Sequence, residues 1–265
     1  MEKLTMLDYV KETPGVLRTN IEQYTALVEP LMEEVQQKEI KRILLVASGS
    51  SHNACYCARS FVEKVSGLEV RIITPYTFTY YENDIKENDL VLVVTQSGLS
   101  TNAIEALKII KKKQCRAICL TGNKNSDVKD VADVVIEYGV GEELVGYVTK
   151  GVSSLALFLD LFAIAYSGKS EYLEELKKAV HLNEEMIGKA TSFIQLHYKE
   201  FSSMSWVYSC GAGANYGTAL ESALKMGETI HIPSCCYEIE EYIHGPNLQL
   251  TPQYNVIFFD GNDGA

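Results

Sequence analysis

The sequence predicts an α/β protein with two doubly wound, Rossmann-like units of the flavodoxin type, each a parallel sheet with helices on both faces. Short apolar runs alternate with helix-compatible segments from residue 42 onward, as in parallel sheets. Two of these runs end in turns rich in glycine and serine. A strand, a small-residue turn and a helix recur after residue 201. This recurrence indicates an internal duplication, with chance similarity of two βα turns as the alternative.

The first 41 residues are predicted to form an N-terminal helical segment. Residues 14–15, Pro-Gly, are expected to break its first helix, and Pro30 to kink or divide a second helix over residues 20–40. We expect the apolar face of the first helix to comprise Leu4, Leu7 and Val10.

The first doubly wound unit is predicted over residues 42–168. Gly139 to Gly151 forms a glycine-rich loop, which precedes an apolar helix from Val152 to Tyr166. Residues 169–200 are expected to form a linking helix. The remaining elements of the unit are strands near residues 42–47, 69–73, 90–95, 115–120 and 133–136, and helices near residues 53–65 and 100–113.

The second unit, residues 201–265, repeats the beginning of the first. Gly211 and Asn215 have the same spacing as Gly49 and Asn53. After a strand ending at Phe259 the sequence stops, so this sheet is expected to be incomplete at its C-terminus. A truncated product is the favoured explanation, and completion of the sheet by another chain is the alternative. Its elements are a strand over residues 205–210, a turn over 211–215, a helix over 216–230 and a strand over 255–259.

Two turns have the composition of an anion site. Residues 49–53 are Gly-Ser-Ser-His-Asn and residues 95–100 are Thr-Gln-Ser-Gly-Leu-Ser. Amides at a helix N-terminus and the hydroxyl groups favour an anion, and ligands of open α/β sheets lie beyond the carboxyl ends of strands. No dinucleotide fingerprint or P-loop is present. A small phosphorylated ligand is therefore favoured, although the first turn alone is equally compatible with an ordinary βα connection.

Composition excludes several classes of function. The chain has 46% hydrophobic and 22% charged residues, as in soluble globular proteins. Its formal net charge of −11 disfavours a nucleic-acid partner, since phosphate backbones are bound through excess Lys and Arg. Apolar runs are interrupted before a membrane-spanning length, and no signal-peptide pattern precedes Lys11. We expect a cytoplasmic protein without a membrane partner.

The seven cysteines are predicted to be free thiols in a reducing compartment. No C-x-x-C motif occurs and no histidine is suitably spaced from a cysteine pair, so no zinc site is expected. A reactive cysteine stays open. No other metal and no organic cofactor has a visible ligand set.

The two serine-rich turns together resemble those of the SIS (sugar isomerase) domain family. This family includes the isomerase half of glucosamine-6-phosphate synthase and stand-alone phosphosugar isomerases, deaminases and deglycases. The resemblance runs from about Arg42 to the end of the chain. It implies phosphate binding by Ser51, Gln96, Ser97 and Ser100 with the amide of Gly98, and a loop beside the sugar containing Gly146, Thr149 and Lys150.

Glu221, Lys225 and Glu228 have helical spacing that places them on one face. For an arbitrary helix a solvated stripe of salt bridges is the more common explanation. Here the triplet resembles the family's A-L-E-x-A-L-K-x-x-E motif, which implies that Glu228 is the base that moves a proton between C1 and C2 of the sugar. Lys225 would hold the helix geometry or stabilise the developing enolate oxygen.

His244 lies in the sequence Glu-Tyr-Ile-His-Gly-Pro, residues 241–246. A lone histidine is usually structural or on the surface. This one resembles the family's E-x-x-H-G-P histidine, which assists opening of the sugar ring and in related proteins comes from a neighbouring subunit. The resemblance therefore implies a homo-oligomer, most simply a dimer. The other four histidines, including His52, are expected to be structural.

The sequence thus predicts an enzyme acting on a 6-phosphorylated ketose, amino sugar or fructosamine by proton transfer between C1 and C2. Isomerase, deaminase and deglycase activities stay open. Because the chain begins Met1-Glu2, without a cysteine nucleophile, no glutaminase activity of its own is expected. Two alternatives are a non-catalytic sugar-phosphate sensor and an inactive remnant that folds poorly.

Overall fold

The computed structural model describes residues 4–36 and 38–261. The chain divides into two compact units, whose boundary lies between Val180 and His181. In the first unit the sheet comprises β1 (Arg42–Val46), β2 (Glu69–Ile73), β3 (Asp89–Thr95), β4 (Ile118–Thr121) and β5 (Val134–Glu137). Its helices are α1 (Met6–Glu22), α2 (Tyr24–Val35), α3 (Gly49–Ser66), α4 (Pro75–Tyr80), α5 (Thr101–Lys112), α6 (Lys150–Ser167) and the start of α7 (Tyr172–Leu196).

All four strand pairings of the first sheet are parallel, in the order β2-β1-β3-β4-β5. This is the flavodoxin-type order, and it confirms the predicted fold class. The chain runs from β1 to β2 on one side and then returns to β3 on the other side. The point at which the winding reverses, between β1 and β3, is where doubly wound sheets bind ligands.

The strands of this sheet are buried on both faces, as their continuous apolar sequences predict. In β1, Ile43 and Leu45 face a core built with α1, α2, α3 and α6, whereas Leu44 and Val46 face a core built with α4 and α5. By length and composition α6 is the one helix in the described residues that could cross a membrane, but most of its residues are buried inside this unit. We therefore assign α6 as the core helix of the first unit.

The N-terminal helices differ from the prediction. α1 continues through Pro14 and Gly15 to Glu22, and α2 contains Pro30 without a break. Pro14 is itself buried, and burial of its ring offsets the lost backbone hydrogen bond. The expected apolar face is also wrong, because Leu4 and Leu7 are about half exposed. The buried face comprises Tyr9, Thr13, Pro14, Leu17, Asn20 and Ile21.

A second boundary correction concerns the first serine-rich turn. The prediction starts α3 near Asn53, but α3 begins at Gly49, with Ser48 as its extended N-cap residue. Ser50 and Ser51 therefore occupy the first helical turn instead of a preceding loop. Gly49 has a φ of 58°, which only glycine adopts readily, and this allows the helix to start immediately after the strand.

The second unit repeats the topology of the first at smaller size. Its three strands are parallel in the order β7-β6-β8, which matches the order β2-β1-β3. The smaller second sheet agrees with the prediction, although the final residues 262–265 lie outside the described part of the chain. The elements are α8 (Tyr198–Ser202), β6 (Trp206–Gly211), α9 (Ala214–Thr229), β7 (Ser234–Glu238), α10 (Ile239–Ile243) and β8 (Tyr254–Phe259).

The domain boundaries predicted at residues 41, 168 and 200 stay predictions. The N-terminal helices contribute Leu17, Ile21, Val28 and Leu31 to the same core as the first sheet. The boundary between the compact units lies within α7, because this helix of 25 residues contributes its first turns to the first unit.

An ion pair between the buried Asp89 and the largely buried Arg42 joins the amino ends of β1 and β3. Arg42 and Asp89 are register partners, and the guanidinium donates two hydrogen bonds to the carboxylate, of 2.9 Å from Nε and 2.6 Å from Nη2. The Lys86 amide donates a third, of 2.7 Å. Burial alone would raise the pKa of Asp89, but the bonds from Arg42 and Lys86 outweigh it and lower this pKa.

We expect Asp89→Asn to lower the free energy of unfolding at neutral pH by about 3 kcal/mol, because it leaves the largely buried Arg42 guanidinium without its hydrogen-bonded counter-charge. Urea titration measures this loss. The matched control is Glu82→Gln, which removes the exposed ion pair with Arg71 and should cost less than about 1 kcal/mol. Equal losses in the two variants would show that the buried pair does not hold the sheet.

Candidate functional site

The first serine-rich turn places two hydroxyl groups at the start of α3. Ser50 and Ser51 are both buried, in the first turn of this 18-residue helix. Ser48, the N-cap residue, makes no side-chain capping bond to the helix. The positive end of the helix dipole and the hydroxyl groups of the first turn make this end of α3 suited to an anion.

The second turn connects β3 to α5. The Ser97 hydroxyl accepts a hydrogen bond from the Leu99 amide at 3.2 Å, and the Ser100 hydroxyl caps α5 by accepting from the Ala103 amide at 3.4 Å. Gly98 has a φ of 66°, and a Cβ added there would lie 1.7 Å from Oγ of Ser126. Only glycine fits this position, because both the backbone conformation and the space exclude a side chain.

The sheet order brings the two turns together. β1 and β3 are adjacent and parallel, with Val46 opposite Val93, so the segments after both strands lie at the same edge of the sheet. This is the winding reversal at which ligands of doubly wound folds bind. The predicted phosphate-binding residues thus lie on neighbouring connections of one compact unit: Ser51, Gln96, Ser97, Gly98 and Ser100.

Gln96 directs its side chain towards the loop after β5. Its Nε2 donates to Oε1 of Glu143 at 3.0 Å, and its Oε1 accepts from the Tyr138 hydroxyl at 3.2 Å. The Gln96 carbonyl oxygen accepts from the Gly122 amide at 3.0 Å and from the Thr121 hydroxyl at 3.2 Å. Gln96 is therefore held both by its backbone and by its amide group.

Glu143 also binds the N-terminus of α6. Its carboxylate accepts hydrogen bonds from the amides of Thr149, at 2.8 Å, and Gly151, at 3.3 Å. A carboxylate at this end of a helix is favoured by the helix dipole and satisfies amides that have no partner within the helix. The loop and the helix start are consequently fixed by one side chain.

The predicted sugar-adjacent loop has a different set of contacts for each residue. Lys150 is buried, and its Nζ lies 2.8 Å from Oε2 of Glu12 and 5.2 Å from the centre of the Tyr9 ring. The Thr149 hydroxyl donates to the Tyr147 carbonyl at 2.9 Å. Gly146 has nothing within 4 Å of the position of a Cβ. The ammonium group of Lys150 thus contacts α1 in this arrangement.

Sequence reasoning missed three residues that organise this edge of the sheet. Glu143, Tyr138 and Gly151 all contact Gln96, and a Cβ on Gly151 would lie 1.8 Å from the Gln96 Oε1. The only sequence signal was the glycine-rich character of residues 139–151, which indicates a special loop but does not indicate which side chain organises it.

The predicted catalytic triplet lies in the second compact unit, on α9. Lys225 bridges the two carboxylates, with Nζ 3.0 Å from Oε1 of Glu221 and 2.7 Å from Oε2 of Glu228. Lys225 and Glu221 are about 15% exposed, whereas Glu228 is 35% exposed. Glu228 is thus the most accessible carboxylate of the triplet, and Lys225 fixes its position.

His244 follows α10 and is largely exposed, with 68% of its side chain accessible. Its Nε2 lies 3.2 Å from Oε1 of Glu240. Glu238 accepts from the amides of Glu240 and Glu241 and so caps the short helix that precedes the histidine. An exposed imidazole with one carboxylate neighbour is free to contact a ligand or another protein surface.

All seven cysteines lie in the described residues and none is paired in a disulfide. Burial raises the pKa of Cys119 to about 12. The pKa of Cys236 is also raised to about 12, mainly by burial. Both thiols are therefore protonated near neutral pH and poorly nucleophilic. In the part of the chain that the structure describes, no group of three or more His, Cys, Asp or Glu side chains is arranged to hold a metal ion.

Comparison with known proteins finds one family model that matches part of this chain. The SIS domain family model matches residues 38–165. The glutamine–fructose-6-phosphate aminotransferase [isomerizing] of Thermotoga maritima is 28% identical over 242 residues, which cover 86% of this chain and 39% of that protein. The chain therefore spans less than half the length of this relative.

Two solved structures have a fold similar to that of this chain. A Clostridium difficile protein assigned as a phosphosugar isomerase has a TM-score of 0.88 and 26% identity, over 98% of this chain and 76% of that chain. Glucosamine-6-phosphate deaminase from Thermotoga maritima has a TM-score of 0.76 and 22% identity, over 97% of this chain and 78% of that chain. The second likeness shows the fold alone.

His52 lies in the first turn of α3, and the pH dependence of stability tests whether its imidazole is buried there. Burial lowers its pKa, and a contact with Asn53 only partly opposes the shift. In the unfolded chain the pKa returns to about 6.5, so the unfolded state takes up the proton first and stability is lost as the pH falls below this value. Stability between about pH 7.5 and about pH 5 should therefore fall less in His52→Gln than in the wild type.

Urea midpoints at the two pH values measure this difference. His181→Gln is the matched control, because His181 is 71% exposed on α7. It should keep the pH dependence of the wild type. If His52→Gln behaves like His181→Gln, the imidazole is not buried at the start of α3.

Proposed function

We propose, from the premise that residues 38–165 of this chain form a SIS domain, that the protein is an enzyme that moves a proton between C1 and C2 of a 6-phosphorylated sugar. The observation that carries the proposal is the adjacency of the two serine-rich turns at the winding reversal between β1 and β3. The phosphosugar relatives support the choice of ligand.

The phosphate group would bind through local hydrogen bonds. With a formal net charge of −11, the protein as a whole does not attract an anion. The start of α3 with Ser51, and the β3–α5 turn with Ser97 and the Gly98 amide, offer hydroxyl and amide donors where the helix dipoles are positive. This arrangement selects a small phosphate ester without requiring a basic patch.

Glu228 would act as the base. It would remove the proton at C2 of the open-chain aldose, or at C1 of the ketose, and the electron pair would form an enediol or enolamine between the two carbons. Return of the proton to the other carbon completes the transfer. Lys225, 2.7 Å from Glu228, would hold the carboxylate in place and offset the charge that develops on the substrate oxygen.

His244 would assist ring opening as a general acid or base, the role that histidine takes most often in enzymes. Its high exposure and its contact with the equally exposed Glu240 suit a side chain that reaches into the site of a neighbouring copy. We propose a homodimer in which His244 of one copy serves the substrate of the other.

The proposed proton transfer does not by itself determine the reaction class. Interconversion of aldose and ketose, release of ammonia from an amino sugar and release of an amine from a fructosamine all begin with the same proton abstraction. The relatives include an isomerising aminotransferase and, by fold alone, a glucosamine-6-phosphate deaminase. We therefore propose the shared step, and the products decide the class.

Proton NMR in heavy water tests the shared step. Fructose 6-phosphate and glucosamine 6-phosphate incubated with the protein should gain deuterium at C1 or C2. Glu228→Gln should slow this exchange by about 100-fold or more, because it removes the base. Glu185→Gln, on the exposed part of α7, is the control and should exchange as the wild type does.

Each result has a defined meaning. Ammonia release with exchange identifies a deaminase, and interconversion without it identifies an isomerase. Saturable binding of the sugar phosphates without exchange would replace the enzyme proposal with a non-catalytic sensor. Exchange that survives in Glu228→Gln would remove Glu228 from the role of base.

Subunit mixing tests the position of His244. Glu228→Gln and His244→Ala should each be nearly inactive alone. Co-expression should restore on the order of one quarter of the wild-type activity, since half of the dimers are mixed and each has one intact site. If both groups serve the site of their own copy, the mixture should stay as inactive as the separate variants.

A further inference from the structure

We propose that Glu143 is a positioning residue, whose carboxylate holds Gln96 and the start of α6 in one arrangement and so sets the affinity of the site for the phosphate of its substrate. This inference rests on the proposed function, because it concerns the same site. Glu143 itself is not proposed to touch the substrate.

Three donors from two different elements converge on Glu143. Its Oε1 accepts from Gln96 Nε2 at 3.0 Å and from the Thr149 amide at 2.8 Å, and its Oε2 accepts from the Gly151 amide at 3.3 Å. Hydrogen bonds to a carboxylate are stronger than those between neutral groups. Both oxygens are used, so the carboxylate has little freedom to rotate.

The opposite end of the Gln96 amide is fixed as well. Its Oε1 accepts from the hydroxyl of Tyr138, which is fully buried. Burial raises the pKa of this tyrosine, so the hydroxyl keeps its proton and acts as the donor. An inverted amide would place its carbonyl oxygen against the Glu143 carboxylate, where two acceptors would face each other. Glu143 therefore determines which way the amide points.

Close packing converts this orientation into a geometric constraint on α6. A Cβ on Gly151 would lie 1.8 Å from the Gln96 Oε1 and 2.6 Å from its Cδ, so the helix start lies directly against the amide. The Gln96 backbone is held by the Gly122 amide. A rotation of the Gln96 side chain would have to move α6 or the end of β3.

The position of Gln96 in the chain connects this network to the phosphate turn. Gln96 directly precedes Ser97 and Gly98, and Thr149 belongs to the loop proposed to lie beside the sugar. That loop is also held by Asn20, which donates to the Gly139 carbonyl at 3.0 Å, and by Tyr9, which accepts from the Leu144 amide at 2.9 Å. The bond from Asn20 fixes the start of the loop, the bond to Tyr9 fixes its middle, and Glu143 fixes its end.

Loss of Glu143 should therefore weaken substrate binding more than catalysis. The proposed base, Glu228, lies in the other compact unit, and its ion pair with Lys225 does not involve the loop. We expect Glu143→Ala to raise KM about tenfold or more, as the loss of hydrogen bonds to a charged group implies, while kcat stays within about twofold.

The experiment compares Glu143→Ala and the nearly isosteric Glu143→Gln with Glu142→Gln, a change at the exposed neighbouring residue. Each is measured for KM and kcat in the exchange reaction and for the Kd of inorganic phosphate. The side-chain amide of Gln96 is followed by nitrogen-15 NMR and assigned by its absence in Gln96→Ala. Glu143→Gln keeps one oxygen acceptor, so we expect an intermediate KM and a shifted Gln96 signal.

The NMR signal separates positioning from general loss of structure. If Glu143→Ala does not fold, Glu143→Gln decides the question, because it preserves size and removes only the charge and one acceptor. An unchanged Gln96 signal, a KM equal to that of Glu142→Gln, or a fall in kcat with KM unchanged would each overturn the inference.

The outcomes also separate this inference from the proposed function. Phosphate binding that weakens in the Glu143 variants, in a protein without exchange at C1 or C2, would support the positioning role while the proposed reaction fails. Normal exchange that is insensitive to Glu143 would overturn the positioning role alone. A wild-type protein that binds neither inorganic phosphate nor sugar phosphates would overturn both.

Discussion

The pairing of β1 with β3 determines where the proposed site can form. The Arg42–Asp89 ion pair joins the two strands at their amino ends and fixes their register. In a parallel pair the opposite ends must then lie side by side, and a slip of one residue would turn every side chain to the other face. The convergence of the serine-rich turns is thus a consequence of the parallel pairing of β1 with β3, which the Arg42–Asp89 contact supports at the opposite ends of the strands.

Most of the fold could be predicted because its signals are local. The strands are continuous apolar runs, and the two turns carry their glycine and serine within five or six residues. The N-terminal helices are harder to predict, because a proline breaks a helix only when nothing offsets the lost backbone hydrogen bond. Pro14 lies on the buried face of α1, together with Tyr9 and Leu17, and sequence spacing alone does not reveal this tertiary packing.

The candidate site was predictable to the same extent. Its hydroxyl groups follow strands and could be identified, whereas the contacts of Gln96 could not. Glu143 and Tyr138 lie 47 and 42 residues from Gln96 in sequence. Neither belongs to a motif that marks its partner, and Tyr138 has the character of an ordinary core residue. Such contacts form only when the sheet brings the end of β3 against the loop after β5, so they cannot be predicted from the sequence.

Three of the helices that start at this edge of the first unit, α3, α5 and α6, use their N-termini differently. α5 is capped by the Ser100 hydroxyl, and the amides at the start of α6 are bound by the Glu143 carboxylate. Ser48 at the start of α3 provides no side-chain cap. Since a negative charge is already present at α6, a phosphate dianion there would meet electrostatic repulsion. The start of α3 is therefore the best-suited of the three for the proposed phosphate, and the carboxylate at the start of α6 would disfavour the same anion there.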